Sequence, residues 1–322
     1  MAKFSTSKKR APQNSAQKKR RPTARATWFL RRASGLQILE SPALAKFNWL
    51  VHGFSTRPGG SSELVFASSG NTKKEAILNL GFTDWDKRER VETNRQKFFR
   101  AIGAGKMPAV TLRQIHSDIV HTIHSVSAED PLQGDALITR EKCILLTVQT
   151  ADCIPILLAD TKRHAVAAVH SGWRGTLARI AAKTLGRMQM EFGTRPEDVV
   201  AALGPGIGRC CYEVGEEVAK EFAAQFPEAR DWFDGPFDAL ASGESDPNWL
   251  PWLTMKPPGH APPPLRAHLD LIAANRAILS ASGIPAKSIS SAGLCTACRT
   301  DLFFSYRRER TTGRMMAAIG IS

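Results

Sequence analysis

Short bursts of apolar residues, separated by polar turns, divide this chain into candidate elements. "FNWLVHGFSTRPGG" (47–60) predicts a strand running into a glycine-rich turn. Over 86–103 the spacing predicts an amphipathic helix, with Val91, Phe98 and Ile102 on one face. "AVTLRQIHSDIVHTI" (109–123) has the β-branched content of a strand pair, or of a strand and its continuation, and "GDALITR" predicts a short strand after a turn. Three compact apolar runs follow: Ile144 to Val148, Ile154 to Leu158 and Ala165 to Val169. Each has strand length, and "ADTKRH" supplies a turn between the last two.

Farther on, "TLARIAAKTLGRMQMEFG" (176–193) has helical spacing and stops at Gly193. "EDVVAALGPGIG" predicts a strand ending in a glycine-rich turn, and "EVGEEVAKEFAAQF" a further helix. Residues 228–267, rich in Pro, Gly, Asp and Trp, predict a long surface excursion. A helix over 268–283 and a strand-like C-terminal end close the chain. Mixed strands and helices without strict βαβ alternation predict one α/β domain over 41–322, with mixed β-sheets flanked by helices.

Charge changes the picture mainly at one end. The net charge of +14 suggests a nucleic-acid binder until it is located: residues 1–32 hold eleven Lys or Arg and no acid. The rest of the chain holds 33 basic and 30 acidic residues, a balance without a basic groove. Residues 1–40 are therefore expected to be a disordered basic tail, with contact to nucleic acid or an anionic surface as its conceivable role and solubilisation as the plainer one. No apolar run approaches the roughly 18–20 residues needed to span a bilayer, and no signal-type apolar stretch precedes Trp28. Six cysteines in 322 residues are no disulfide scaffold, and the reading favours a reducing cytoplasm.

The candidate chemistry lies where apolar runs end. Cys153 stands just before one run and His170 just after another; His116, in "LRQIHSD", is the third candidate. Two imidazoles and one thiolate suit Zn2+ with a fourth position open, and the same donors tolerate Cu2+. Asp152, beside the cysteine, is an acid for moving protons, and Arg57 and Arg174 are candidate anion contacts. "LGPGIGR" (203–209) matches neither nucleotide-loop pattern, and Pro205 argues for a tight turn. "CTAC" (295–298) is a C-x-x-C without a second pair, which argues against a closed zinc site and for two loop thiols.

Seven blocks in order, "HGFSTRPGG", "LRQIHSD", "GDALIT", "TADCIPILLAD", "AAVHSGWRGT", "LGPGIGRCCYEVG" and "FFSYRRERTTGRM", give the chain a resemblance to the laccase-domain, or polyphenol-oxidase-like, purine nucleoside phosphorylase family, which includes the peptidoglycan editing factor. The resemblance covers residues 47–321. It implies a zinc-type site of His116, Cys153 and His170. It also implies phosphorolysis of adenosine, inosine and methylthioadenosine, together with adenosine deamination. In that scheme Arg57 and Arg174 hold phosphate, Asn79 of "NLG" orients substrate or phosphate, and Asp152 moves protons. Two alternatives are an amidase that edits a peptidoglycan precursor, with Cys153 as nucleophile, and a copper-dependent phenol oxidase. "SSELVFASSGNTKKEAI" and the 228–267 excursion depart from the family pattern, and both are placed to reshape a pocket rim and with it the substrate preference.

Overall fold

"FLRRASGLQILE" sets two five-residue runs on either side of Ser-Gly, and in the computed structural model it is a hairpin of β1 (Phe29–Ala33) and β2 (Leu36–Glu40). Ser34 and Gly35 both have positive φ, as a two-residue hairpin turn requires. The model describes residues 28–68, 71–126, 131–242 and 265–322. The expected boundary at residue 40 is thus too late, because 28–40 belong to the fold; residues 1–27 lie outside the described residues.

β3 (Leu50–Ser55) follows, then a hairpin of β4 (Pro58–Ser68) and β5 (Asn71–Ile77), formed by the segment that departs from the family pattern. The amphipathic helix is α1 (Arg88–Ala101). The expected strand pair of 109–123 shrinks to β6 (Ala109–Val110) and β7 (Val120–Thr122), leaving His116 in the irregular stretch between them. β8 (Ala136–Thr139), β9 (Leu145–Thr150), β10 (Ile154–Asp160) and β11 (Ala165–Ser171) are the short strand and the three apolar runs. The single helix expected over 176–193 is broken into α2 (Trp173–Leu177) and α3 (Ile180–Phe192), with Arg179 at φ 58° in the break. β12 (Val199–Leu203), β13 (Glu213–Val214), α4 (Glu216–Gln225), β14 (Phe233–Asp234) and α5 (Phe237–Ser242) come next. The middle of the 228–267 excursion lies outside the described residues. β15 (Ala267–Leu269), α6 (Leu271–Ala281), β16 (Ile289–Ser291), α7 (Tyr306–Glu309) and β17 (Met315–Ile321) complete the chain.

Two six-stranded mixed sheets result, ordered β1-β2-β3-β17-β9-β6 and β16-β12-β10-β11-β8-β7. Leu146, Val148, Ala317 and Ile319 of the first pack against Leu157, Ala159, Val166 and Ala168 of the second. The outer face of the second sheet, with Ile156, Leu158 and Val169, is covered by Leu185 and Met188 of α3, Phe222 of α4 and Ile278 of α6. The outer face of the first meets Phe98 and Ala101 of α1. The molecule is thus layered helix–sheet–sheet–helix. That explains why the central strands read as compact apolar runs: both of their faces are covered. No helix among the described residues is long and apolar enough to cross a membrane.

His52, inside β3, is a structural imidazole. Its Nε2 accepts the Ser41 N–H at 3.1 Å, and burial depresses its pKa to about 4. The unfolded chain protonates this ring near pH 6.5 while the folded one does not. Stability is therefore lost as pH falls from 6.5 to 4, by roughly 3 kcal/mol from this group. Urea midpoints across that range should fall in the wild type and fall less in His52→Gln.

Candidate active site

Three chain segments meet where the two sheets adjoin. β9 ends at Thr150 in one sheet and β10 begins at Ile154 in the other, so Ala151, Asp152 and Cys153 alone carry the chain across. Asp152 takes φ 94° in this step, a costly value for a side-chain-bearing residue. His170 is the penultimate residue of β11, opposite Pro155. His116 arrives from the irregular stretch after β6, itself at φ 58°.

The ligand-bearing atoms of His116, Cys153 and His170 all lie within 4.8 Å of one another, and His116 Nε2 is 3.8 Å from Cys153 Sγ. The imidazoles meet edge to face, with ring centroids 5.0 Å apart. The fold thus brings together the three candidate ligands that the sequence nominates. The group that arranges them is Asp135 of "GDALIT", which no ligand pattern marks. This fully buried carboxylate takes the N–H groups of Ile115 (3.3 Å), His116 (3.1 Å) and Ser117 (2.6 Å) and the Ser117 hydroxyl (2.7 Å). It also takes His170 Nδ1–H at 2.8 Å, which leaves Nε2 as that ring's free ligand atom.

Charge in the cluster is tightly linked. Burial opposes ionisation of Asp135, but hydrogen bonds from His170 and Ser117 outweigh it and hold the carboxyl at about 2. Burial likewise opposes a Cys153 thiolate, yet the His170 charge and the His116 ring bring the thiol down to about 6. His170, against its own burial, is lifted to about 9 by Cys153 and Asp135. A ready thiolate, two imidazoles with converging nitrogens and a carboxylate behind one of them fit a divalent metal such as zinc.

Gly172 keeps room for the thiol. A Cβ there would stand 2.8 Å from Cys153 Sγ and 3.3 Å from His116 Cδ2. Its φ of −82° suits any residue, so Gly172→Ala perturbs contacts and not the backbone. The variant should fold normally by circular dichroism and bind zinc at least about tenfold more weakly in chelator competition. Unchanged affinity would count against the thiol as a ligand in this geometry.

A cavity of about 650 Å³ opens beside the triad, within the usual range for small-molecule sites. His116, Asp152, Cys153 and His170 line it, together with Tyr212, Tyr306 and three arginines, Arg307, Arg310 and Arg314. Asp152 is pinned by Thr296 Oγ1 on one oxygen (2.6 Å) and by the Arg307 N–H on the other (2.7 Å).

Two of the expected anion contacts lie elsewhere. Arg57 is buried, bridged to Glu309 at 2.6 Å and Glu75 at 3.2 Å, and packs over Phe304. It lies outside the cavity wall and braces α7 through Glu309. Arg174 is exposed, lies over the Trp173 ring, and is likewise absent from the cavity wall. Asn79 is fully buried; its Oδ1 accepts the N–H groups of Gly81 (3.1 Å) and Arg314 (2.9 Å), and its Nδ2 donates to Asp86. It sets the backbone that carries Arg314 and does not reach the cavity. The arginines that do line the cavity were already visible in "FFSYRRERTTGRM", spaced three and four residues apart.

A family model described as "Multi-copper polyphenol oxidoreductase laccase" matches residues 51–322. A Deinococcus radiodurans protein named purine nucleoside phosphorylase is 36% identical over 291 residues, covering 90% of this chain and 94% of that one. A protein of an unknown prokaryotic organism, named adenosine deaminase RL5, is 37% identical over 181 residues, or 56% of this chain and 59% of the other. Among solved structures, YlmD from Geobacillus stearothermophilus superposes with a TM-score of 0.70 at 31% identity, covering 91% of this chain and 98% of that one.

Proposed function

We propose, from the premise that this chain belongs to the laccase-like family described as multi-copper polyphenol oxidoreductases, that it is a zinc-dependent purine nucleoside phosphorylase with adenosine deaminase activity at the same site. Adenosine, inosine and methylthioadenosine are its substrates in this reading. The observation that carries it is the composition of one cavity: a thiolate–imidazole triad, two tyrosines and three arginines. A purine needs flat apolar faces, which Tyr212 and Tyr306 offer. Phosphate needs fixed cationic donors, which Arg307, Arg310 and Arg314 offer.

His116, Cys153 and His170 hold the metal, and a zinc ion there supplies Lewis acidity and lowers the pKa of water. In phosphorolysis the arginines present phosphate to the ribose C1′. The C1′–N9 bond breaks as the new C1′–O bond forms, and the departing purine takes a proton. Asp152 lies beside the triad with its carboxylate aimed by Thr296 and the Arg307 N–H, and it serves as the proton carrier. In deamination the same carboxylate moves protons while water replaces the C6 amine.

An oxidase reading draws on the family description, but four-electron oxygen chemistry needs several histidine-rich copper centres. The donor groups among the described residues are the His–Cys–His triad and a cluster of four cysteines. The free state of all six cysteines suits a reducing cytoplasm.

The test is chromatography of adenosine and inosine after incubation with and without phosphate, alongside metal analysis. Adenine or hypoxanthine released only with phosphate, with matching ribose 1-phosphate, is the expected result. Arg310→Gln should raise KM for phosphate about tenfold with metal content unchanged. Absence of purine turnover by the zinc-loaded protein would overturn the reading. Amide hydrolysis by metal-stripped protein would favour the peptidoglycan-editing alternative, with Cys153 as nucleophile.

A further inference from the structure

Four cysteines stand apart from the triad, and the fold collects all of them. Cys210 and Cys211 follow the turn after β12, while Cys295 and Cys298 lie between β16 and α7. A parallel bridge between Gly206 and Cys295 lays the two segments side by side. The second cysteine pair that "CTAC" lacks in sequence is therefore supplied from more than 80 residues away. Cys298 Sγ is 3.4 Å from both Cys210 Sγ and Cys211 Sγ, and all four sulfurs lie within 4.8 Å of one another. Sulfurs about 2.3 Å from a common tetrahedral zinc would stand ~3.8 Å apart, which these separations bracket.

The surroundings favour convergence. A Cβ at Gly208 would come within 3.1 Å of the Cys295 Cβ and 3.4 Å of Cys210 Sγ, so glycine at that position lets the two segments close. The Gly208 N–H points at Cys295 Sγ at 3.2 Å, the kind of donor that supports a ligating thiolate. Cys211 and Cys295 are partly buried, and Cys210 and Cys298 are exposed, giving an ion a path in from solvent.

We propose that Cys210, Cys211, Cys295 and Cys298 form a closed four-thiolate structural zinc site, separate from the His116–Cys153–His170 group. Four protein ligands leave no position for water, so the site holds structure and does no chemistry. Loading it converts four thiols to thiolates and releases up to four protons to solvent.

What it clasps is the wall of the active site. Thr296, between the two ligands of "CTAC", donates its N–H to the Gly206 carbonyl and its hydroxyl to Asp152. Ile207, on the other segment, donates its N–H to the Asp152 carbonyl at 2.7 Å. Ile207 and Tyr212 both line the cavity. Both segments therefore reach Asp152, and the zinc ties them together.

The test is zinc counted by mass spectrometry on the full chain purified without chelator, combined with cobalt substitution. Cys298→Ser should hold one zinc fewer than wild type and melt at a lower temperature. Cys153→Ser, which leaves this cluster intact, should keep one zinc and, loaded with Co2+, show the intense sulfur-to-cobalt bands of a tetrathiolate. This second variant keeps the test decisive even where Cys298→Ser fails to fold. It also separates the two sites: were the triad metal-free, Cys153→Ser would match the wild-type count. Absence of the cobalt bands from Cys153→Ser, or a mass two hydrogens short that marks a disulfide among these cysteines, would overturn the proposal.

Discussion

Cys153→Ser should fold, lose the metal held with His116 and His170, and turn over nucleoside slower by a factor on the order of 10³ or more. Serine nearly matches the thiol in size, so the three-residue crossing between the sheets can keep its path. The chemistry changes, because a thiol already poised near pH 6 becomes a hydroxyl that stays neutral. His170 also loses the thiolate that helps lift it to about 9, and its proton affinity falls. The deciding comparison pairs this variant with chelator-stripped wild type. If Cys153 is a ligand, both are inactive on nucleosides and zinc restores only the wild type. Activity of the stripped wild type, lost in the serine variant, would make Cys153 a nucleophile.

The second large effect belongs to Asp135. Five donors converge on its two oxygens, and four of them belong to the segment that carries His116. Asp135→Asn puts an amide NH₂ where one oxygen accepted, so donors face a donor in a site with no solvent to relieve them. Stability should fall by roughly 3 kcal/mol or more, read from urea unfolding. Zinc affinity should fall about 10- to 100-fold, because His116 and His170 both lose their anchor. Excess zinc should restore part of the turnover, which distinguishes a positioning residue from one that touches substrate. The acid limb should change too. A carboxyl held at about 2, against 3.8 in its unperturbed form, contributes stability above pH 4 that disappears as pH falls through 2. The variant lacks that contribution.

Local patterns made much of this molecule legible. The central strands could be read because both faces are buried, and the triad because polar ligands interrupt that burial at strand ends. Asp135 left a fainter signal, an acid after Gly134 at the mouth of a fully buried strand; such a carboxylate must be met by donors. Arg57 sits in "STRPGG", which looks like an exposed turn, while the nearer of its two glutamate partners lies 252 residues farther along. No local pattern carries that pairing. The same holds for the four cysteines, whose two pairs meet only through the parallel β12–β16 neighbourhood. At the other end, the Ser-Gly turn in "FLRRASGLQILE" marks a hairpin, but the density of basic charge before it drew the boundary too late.

The three-residue crossing from β9 to β10 has a consequence for how the ligand pair is assembled. Cys153 stands one residue before β10, and the β10–β11 pairing that sets Pro155 opposite His170 brings thiol and imidazole together within one sheet. β9, in the other sheet, reaches the thiol only through Ala151 and Asp152. A refolding chain therefore gathers these two ligands as soon as β10 and β11 pair, ahead of the closure of the sandwich.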